Sequence, residues 1–188
     1  MLPARAEGYS RRALEYASAK DFCSIFHQDM DVLYWLALVL TADAGKAERC
    51  FAAGLDECID GNAVFKEWAR SWSRRVVIKN AIRLISPRPD VASPTAIHGA
   101  DQPESPAEAV LAALMNLRPF DRFVFVISVL EGYADRDCAA LLGCSSAEVS
   151  SARVRALQQL PREMEASRTG LPGGVPQDLM TLSDAEVA

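Results

Sequence analysis

The stretch DRDCAALLGCSSAEVSSARVRALQQLP, Asp135 to Pro161, decides the fold. Asp135 to Leu142 predicts a short helix with Ala139 and Leu142 turned inward. Gly143 follows where a left-handed cap is needed; without a Cβ it takes a positive φ at no steric cost. Ser145-Ser146-Ala147-Glu148 is a capping box: the Ser145 side chain serves an orphan amide and Glu148 reaches back. A second helix then runs to Leu160, where Pro161 is expected to stop it. Helix, glycine-containing turn and capped helix is the helix-turn-helix layout. In that layout the second helix offers its N-terminal residues to the DNA major groove. The candidate positions are Ser145, Ser146, Ser150, Arg153 and Arg155. Many helical hairpins share the pattern, so it fixes a helical unit more firmly than a ligand.

Upstream of this unit, Ala107 to Leu117 predicts a helix, and Pro119 restarts the chain at a favoured first-turn position. Phe123 to Leu130 is rich in β-branched and aromatic residues, which favours a strand by propensity. No partner strand is evident, and Phe123, Ile127 and Leu130 fall on one helical stripe, so a helix is expected. Residues 86–106 hold Pro87, Pro89, Pro94, Pro103 and Pro106 among small and polar residues, and read as a linker. Before it, residues 21–85 predict three helices and no strand. They are carried by Leu33, Leu36, Ala37 and Leu40, then by Ala47, Phe51, Leu55 and Cys58, then by Trp68, Trp72, Val76, Ile78, Ile82 and Ile85. The expected organisation is an all-α chain of two small helical domains, 21–85 and 107–165. A short arm (1–20) precedes them, the linker (86–106) joins them, and a Gly- and Pro-containing disordered tail (166–188) follows.

Composition narrows the function classes. The 188 residues carry a net charge of −5, which excludes a wholly basic nucleic-acid coat protein. The charge is uneven: residues 21–60 hold eight acidic and two basic groups, residues 61–85 one acidic and six basic. Two adjoining segments of opposite sign suggest two faces with different partners. The longest apolar run, Val32 to Leu40, falls far short of the roughly 20 residues of a membrane span, so no membrane partner is expected. The N-terminus shows no apolar signal region, and the expected compartment is the cytoplasm. Five scattered cysteines without a C-x-x-C pair argue against a disulfide framework or a zinc ribbon. Cys23 and His27 are four apart, yet no second pair completes a metal site, so neither metal nor cofactor is expected.

From Ala113 to Leu157 the chain reads ALMNLRPFDRFVFVISVLEGYADRDCAALLGCSSAEVSSARVRAL. This resembles region 4, the promoter −35-binding part of the extracytoplasmic-function sigma factors of bacterial RNA polymerase. The likeness includes Leu117-Arg118-Pro119 and Leu130-Glu131-Gly132. LYWLALVLTADAGKAERC (Leu33–Cys50) is similar to the start of region 2, and FKEWARSWSRRVVIKNAIRLI (Phe65–Ile85) to its aromatic and basic −10 segment. The resemblance implies a promoter-specificity subunit that binds core RNA polymerase and promoter DNA, and it admits an anti-sigma factor as a further partner. It implies that Trp68 and Trp72 stack on unpaired bases, that Arg74, Arg75, Lys79 and Arg83 meet phosphates, and that Asn80 meets a base edge. Asp43, Glu48 and Asp56 fall on the acidic, polymerase-facing side.

The chain also departs from the pattern. Ser150 and Ala152 stand where the family usually has Lys or Arg, and Arg153 where it commonly has a buried Leu. The family's acidic, glutamine-bearing core-binding motif is replaced by Lys46 to Ala53, KAERCFAA. A sigma-derived interaction protein that has lost promoter reading is therefore the alternative. An enzyme is not expected: neither His has a nucleophile and an acid in a shared motif, and no Gly-rich phosphate loop is present. Asp135 with Asp137, and Asp56 with Glu57, are acidic neighbours read as solvated surface.

Overall fold

The computed structural model describes residues 15–61, 63–89 and 105–169, with side chains through 165. The expected arm (1–14 of it), most of the linker (90–104) and the tail beyond 169 lie outside the described residues. Within them the chain is all helical. The helices are α1 (Ala19–Gln28), α2 (Met30–Thr41), α3 (Ala44–Asp60), α4 (Ala69–Ile85), α5 (Pro106–Asn116), α6 (Pro119–Phe125), α7 (Asp135–Leu142) and α8 (Ser146–Thr169). A 3-10 turn, Lys66–Trp68, leads into α4, and a π-helical turn, Val126–Leu130, extends α6. One isolated bridge pairs Tyr16 with Phe65. Among the described residues no helix is long and apolar enough to cross a membrane.

The first half holds one helix more than the three expected. Ser18 opens α1 with a capping box: Asp21 N–H donates to the Ser18 hydroxyl at 3.3 Å, and Ser18 N–H donates to the Asp21 carboxylate at 2.8 Å. Phe22 and Phe26 then point into the core. Cys23 and His27 lie on the exposed side of the same helix. Ala42, at φ 53°, ends α2 in the left-handed region. The Asp43 carboxylate next accepts Lys46 N–H at 2.7 Å and starts α3. Gly54 lets α3 approach α4 closely, because a Cβ there would stand 3.2 Å from a Val77 methyl.

In the second half, Pro106 and Pro119 occupy the first turns of α5 and α6, where a missing N–H costs nothing. Phe123 and Ile127 are buried as the helical stripe required, but Leu130 is exposed. The π turn explains the difference. Glu131 N–H donates to the Val126 carbonyl, five residues back, and the extra residue rotates Leu130 off the stripe. Gly143 closes α7 at φ 67°, with Cys144 N–H on the Ala139 carbonyl at 3.1 Å. Ser145 opens α8 with the expected box: Ser145 N–H donates to Glu148 at 2.7 Å, and Glu148 N–H to the Ser145 hydroxyl at 3.2 Å. Helix α8 does not stop at Leu160; it runs through Pro161 to Thr169. Pro161 and Leu157, whose carbonyl loses its amide partner to the proline, both face solvent, so water can serve that carbonyl.

The halves share one buried cluster extending from Phe22 to Ala156. Helix α2 meets α5 and α6 across it. The Arg122 side chain, buried and with no carboxylate partner among the described residues, donates to the Leu40 carbonyl at 3.3 and 3.4 Å. It also donates to the Met115 and Leu117 carbonyls at 2.9 and 3.0 Å. Leu40 lies in the last turn of α2, where unpaired carbonyls and the helix dipole favour a cation.

Candidate nucleic-acid interface

Four of the five cations on α4 are satisfied from within the chain. Arg70 donates to Asp29 at 2.6 Å and to Gln28 at 3.1 Å. Arg74 reaches the second half: its Nε donates to Glu131 Oε2 at 2.8 Å, and a second nitrogen pairs with Oε1. One carboxylate, Glu57 on α3, collects the remaining partners. Lys79 donates to it at 3.0 Å, Asn80 at 3.1 Å and Arg83 at 2.5 Å. The Arg83 bond, helped by Lys79 and Asn80, pulls the Glu57 carboxyl down to about 2 against the burial that opposes it. Arg75 is exposed. Trp68 is 57% exposed and sets its ring edge-on to Phe65, which stacks on Tyr16. Trp72 is half-buried with the Lys79 ammonium 6.0 Å from its ring.

The helix-turn-helix positions are likewise engaged. The Ser145 side chain is spent on the cap, and Ser146 is exposed. Ser150 Oγ donates to Asp135 at 3.0 Å, and Arg153 clasps the same carboxylate with both terminal nitrogens. The Arg153 and Ser150 bonds hold the Asp135 carboxyl below its ordinary value, and Asp135 raises Arg153 in turn. Arg155 points elsewhere, to Asp121 at 2.8 Å, whose fully buried carboxylate also takes Arg118 at 2.6 Å. Val149, Ala152 and Ala156 form the inward stripe of α8. Its outward stripe shows Val154 and Leu157, each 51% exposed.

The structure therefore brings Lys79, Asn80 and Arg83 together on Glu57, and Ser150 and Arg153 together on Asp135. It separates Arg74 and Arg155 from these groups. Of the polymerase-facing candidates, Asp43 caps α3 while Glu48 and Asp56 are exposed on it. Glu57 and Asp135 are the residues that sequence reasoning passed over as solvated surface. The available signal was the acidic segment followed by the basic one, since an α3–α4 hairpin sets the two against each other. Burial pushes the Cys50 and Cys58 thiols to about 11 and Cys138 to about 12, so they stay neutral at ordinary pH. Among the described residues no His, Cys, Asp or Glu cluster could hold a metal ion.

Comparison with known proteins adds little. No family model and no curated protein sequence matches the chain. A solved structure of the sigma factor RpoE in complex with the anti-sigma factor NepR from Bartonella quintana is similar at 21% identity, covering 78% of this chain and 98% of that one. At its TM-score of 0.46 the likeness decides neither fold nor function, and the functional reading rests on this chain's own residues.

Proposed function

We propose that this chain acts in transcription initiation as a two-lobed, sigma-like subunit, cytoplasmic and without a cofactor. The first lobe, 21–85, engages core RNA polymerase through the acidic side of α3 and contacts the −10 region through α4. The second, 107–165, contacts the −35 region through α8. The observation that carries the reading is a left-handed Gly143 turn and a capped α8 in the same molecule as a helix bearing Trp72 and five cations along its length, with Trp68 at its N-cap. Phosphates are to replace Glu57, Glu131 and Asp135 as partners when DNA binds, so the self-paired state is the resting one. The test is capture of purified core polymerase by the full chain, followed by run-off transcription on genomic fragments. Discrete promoter-dependent transcripts support the reading. Failure to capture core polymerase, or capture without transcripts, refutes promoter direction.

A second reading has its own observation. Arg153 and Arg155 are both tied to carboxylates, while Val154 and Leu157 stand exposed on the outward stripe of α8. An apolar outward stripe suits a protein contact better than a phosphate backbone. On that reading the chain keeps the fold but binds polymerase or another regulator without reading promoters.

A further inference from the structure

Four cations of α4 have a carboxylate of the chain itself: Arg70, Arg74, Lys79 and Arg83. Arg75 makes no ion pair with any described residue. It lines a groove of about 530 Å³ together with Trp68, Trp72 and Lys79 on the α4 side. The facing wall is Tyr133 and Leu141, from the other half of the molecule. The volume lies within the roughly 300–1,000 Å³ of small-ligand sites. Three aromatic side chains and an unpaired guanidinium in one groove make a specific chemical demand. The rings ask for a flat π-system, and the guanidinium for a planar or tetrahedral oxyanion that it can hold with two parallel N–H bonds.

We propose that this groove binds a free nucleoside monophosphate. The base lies against the Trp68, Trp72 and Tyr133 rings, the phosphate sits on Arg75, and Lys79 supplies a second positive charge. Charge complementarity selects this ligand: Glu57 offsets only one of Lys79 and Arg83, so with Arg75 the groove and its rim carry about two uncompensated positive charges, matching one phosphate monoester. Because the walls come from both halves, the site is complete only when the halves are together, and the nucleotide favours the closed state. The site shares Trp68, Trp72, Arg75 and Lys79 with the proposed DNA contact but depends on Tyr133, which that contact does not use.

The experiment is a titration of the full chain with AMP, GMP, CMP and UMP, followed by tryptophan emission in a Trp35→Phe background that leaves Trp68 and Trp72 as reporters. Saturable quenching below about 1 mM is expected, weaker by about tenfold or more for the phosphate-free nucleoside and for Arg75→Ala. Arg75 is exposed and has no ion-pair partner among the described residues, so its removal leaves the fold intact, which circular dichroism verifies. Tyr133→Ala is to weaken mononucleotide binding while leaving affinity for a single-stranded oligonucleotide unchanged. No saturable quenching, or Arg75→Ala binding like the parent chain, overturns the proposal. Oligonucleotide binding and polymerase capture persisting in that case would leave the transcription role standing. Mononucleotide binding by a chain that fails to capture polymerase would uphold the groove and remove that role.

Discussion

The Arg74–Glu131 pair is the polar tie whose loss speaks most directly to the resting state. The Glu131 side chain is 7% exposed and Arg74 35%. Deleting one partner of a buried ion pair costs about 3–5 kcal/mol, and an exposed pair is worth about 0–1 kcal/mol. With the acid buried and the base one-third open, Arg74→Ala should cost about 2 kcal/mol, because Glu131 is left in a poor solvent. Glu131→Gln should cost about 1 kcal/mol, because Arg74 can turn to water. The double variant should lose little more than Arg74→Ala alone, giving a coupling energy approaching about 1 kcal/mol. At about 2–4 °C per kcal/mol for a chain of this size, the Arg74→Ala midpoint should fall by about 4–8 °C. Thermal and denaturant unfolding of the four proteins in the cycle measures this, and small-angle scattering reports whether the radius of gyration grows. Lys79→Ala, whose pair with Glu57 lies within the first half, is the control: it should lower stability without enlarging the molecule. A coupling energy indistinguishable from zero, or an Arg74→Ala chain as stable as the parent, would refute the reasoning.

Glu57 makes the α3–α4 clasp acid-labile: its carboxyl titrates near 2 in the fold against 4.5 when free, so the stabilisation is complete above about pH 4.5 and lost as pH falls through about 2. Glu57→Gln should flatten that part of the acid-unfolding curve, and by freeing Lys79 and Arg83 should steepen the salt dependence of DNA binding by about one to two phosphates' worth. Arg122→Met removes the donor shared by the Leu40, Met115 and Leu117 carbonyls and should cost about 3 kcal/mol in urea unfolding; a loss below about 1 kcal/mol would show that water takes over. Gly143→Ala should cost about 1–2 kcal/mol from backbone strain alone, since a Cβ there meets nothing within 4 Å; an unchanged midpoint would contradict the cap.

The parts legible in the sequence are those whose signals are local. Gly143 and the Ser145–Glu148 box lie within six residues of each other, and each acts on its own helix end. Ser18 and Asp21 spelled the same signal for α1, but the helix is only ten residues long and buries just Phe22 and Phe26, too few repeats for periodicity alone to single it out. Pro161 misleads because a proline rule assumes a carbonyl that cannot be rescued, and here that carbonyl is on the wet side of α8. The ion pairs were illegible for a different reason. Arg74 finds Glu131 57 residues away, Arg83 finds Glu57 across 26, and Arg155 finds Asp121 across 34, so no periodicity along one helix could propose them. Whether a cation faces a phosphate or a carboxylate of its own chain depends on tertiary packing.

Geometry makes the resting state and the proposed activity incompatible without movement. Promoter elements at −35 and −10 are about 25 base pairs apart, roughly 85 Å at about 3.4 Å per pair. A folded chain of this length has a radius of gyration of about 16 Å. With α2 against α5 and α6, and Arg122 seated on the Leu40 carbonyl, α4 and α8 cannot occupy both elements at once. Separation must break Arg122's bonds to Leu40 and the Arg74–Glu131 pair, and must expose the apolar surface between α2 and α6. Duplex phosphates compensate only the second of these costs, because the partner that separation strips from Arg122 is a buried carbonyl and the apolar contact offers a phosphate nothing to bind. The remaining cost has to be met by a surface that covers what α2 and α6 expose, which is why polymerase capture should precede DNA binding. Arg74→Ala should therefore raise affinity for core polymerase while weakening the contact with −10 DNA, and a variant that loses both would place Arg74 in the fold alone.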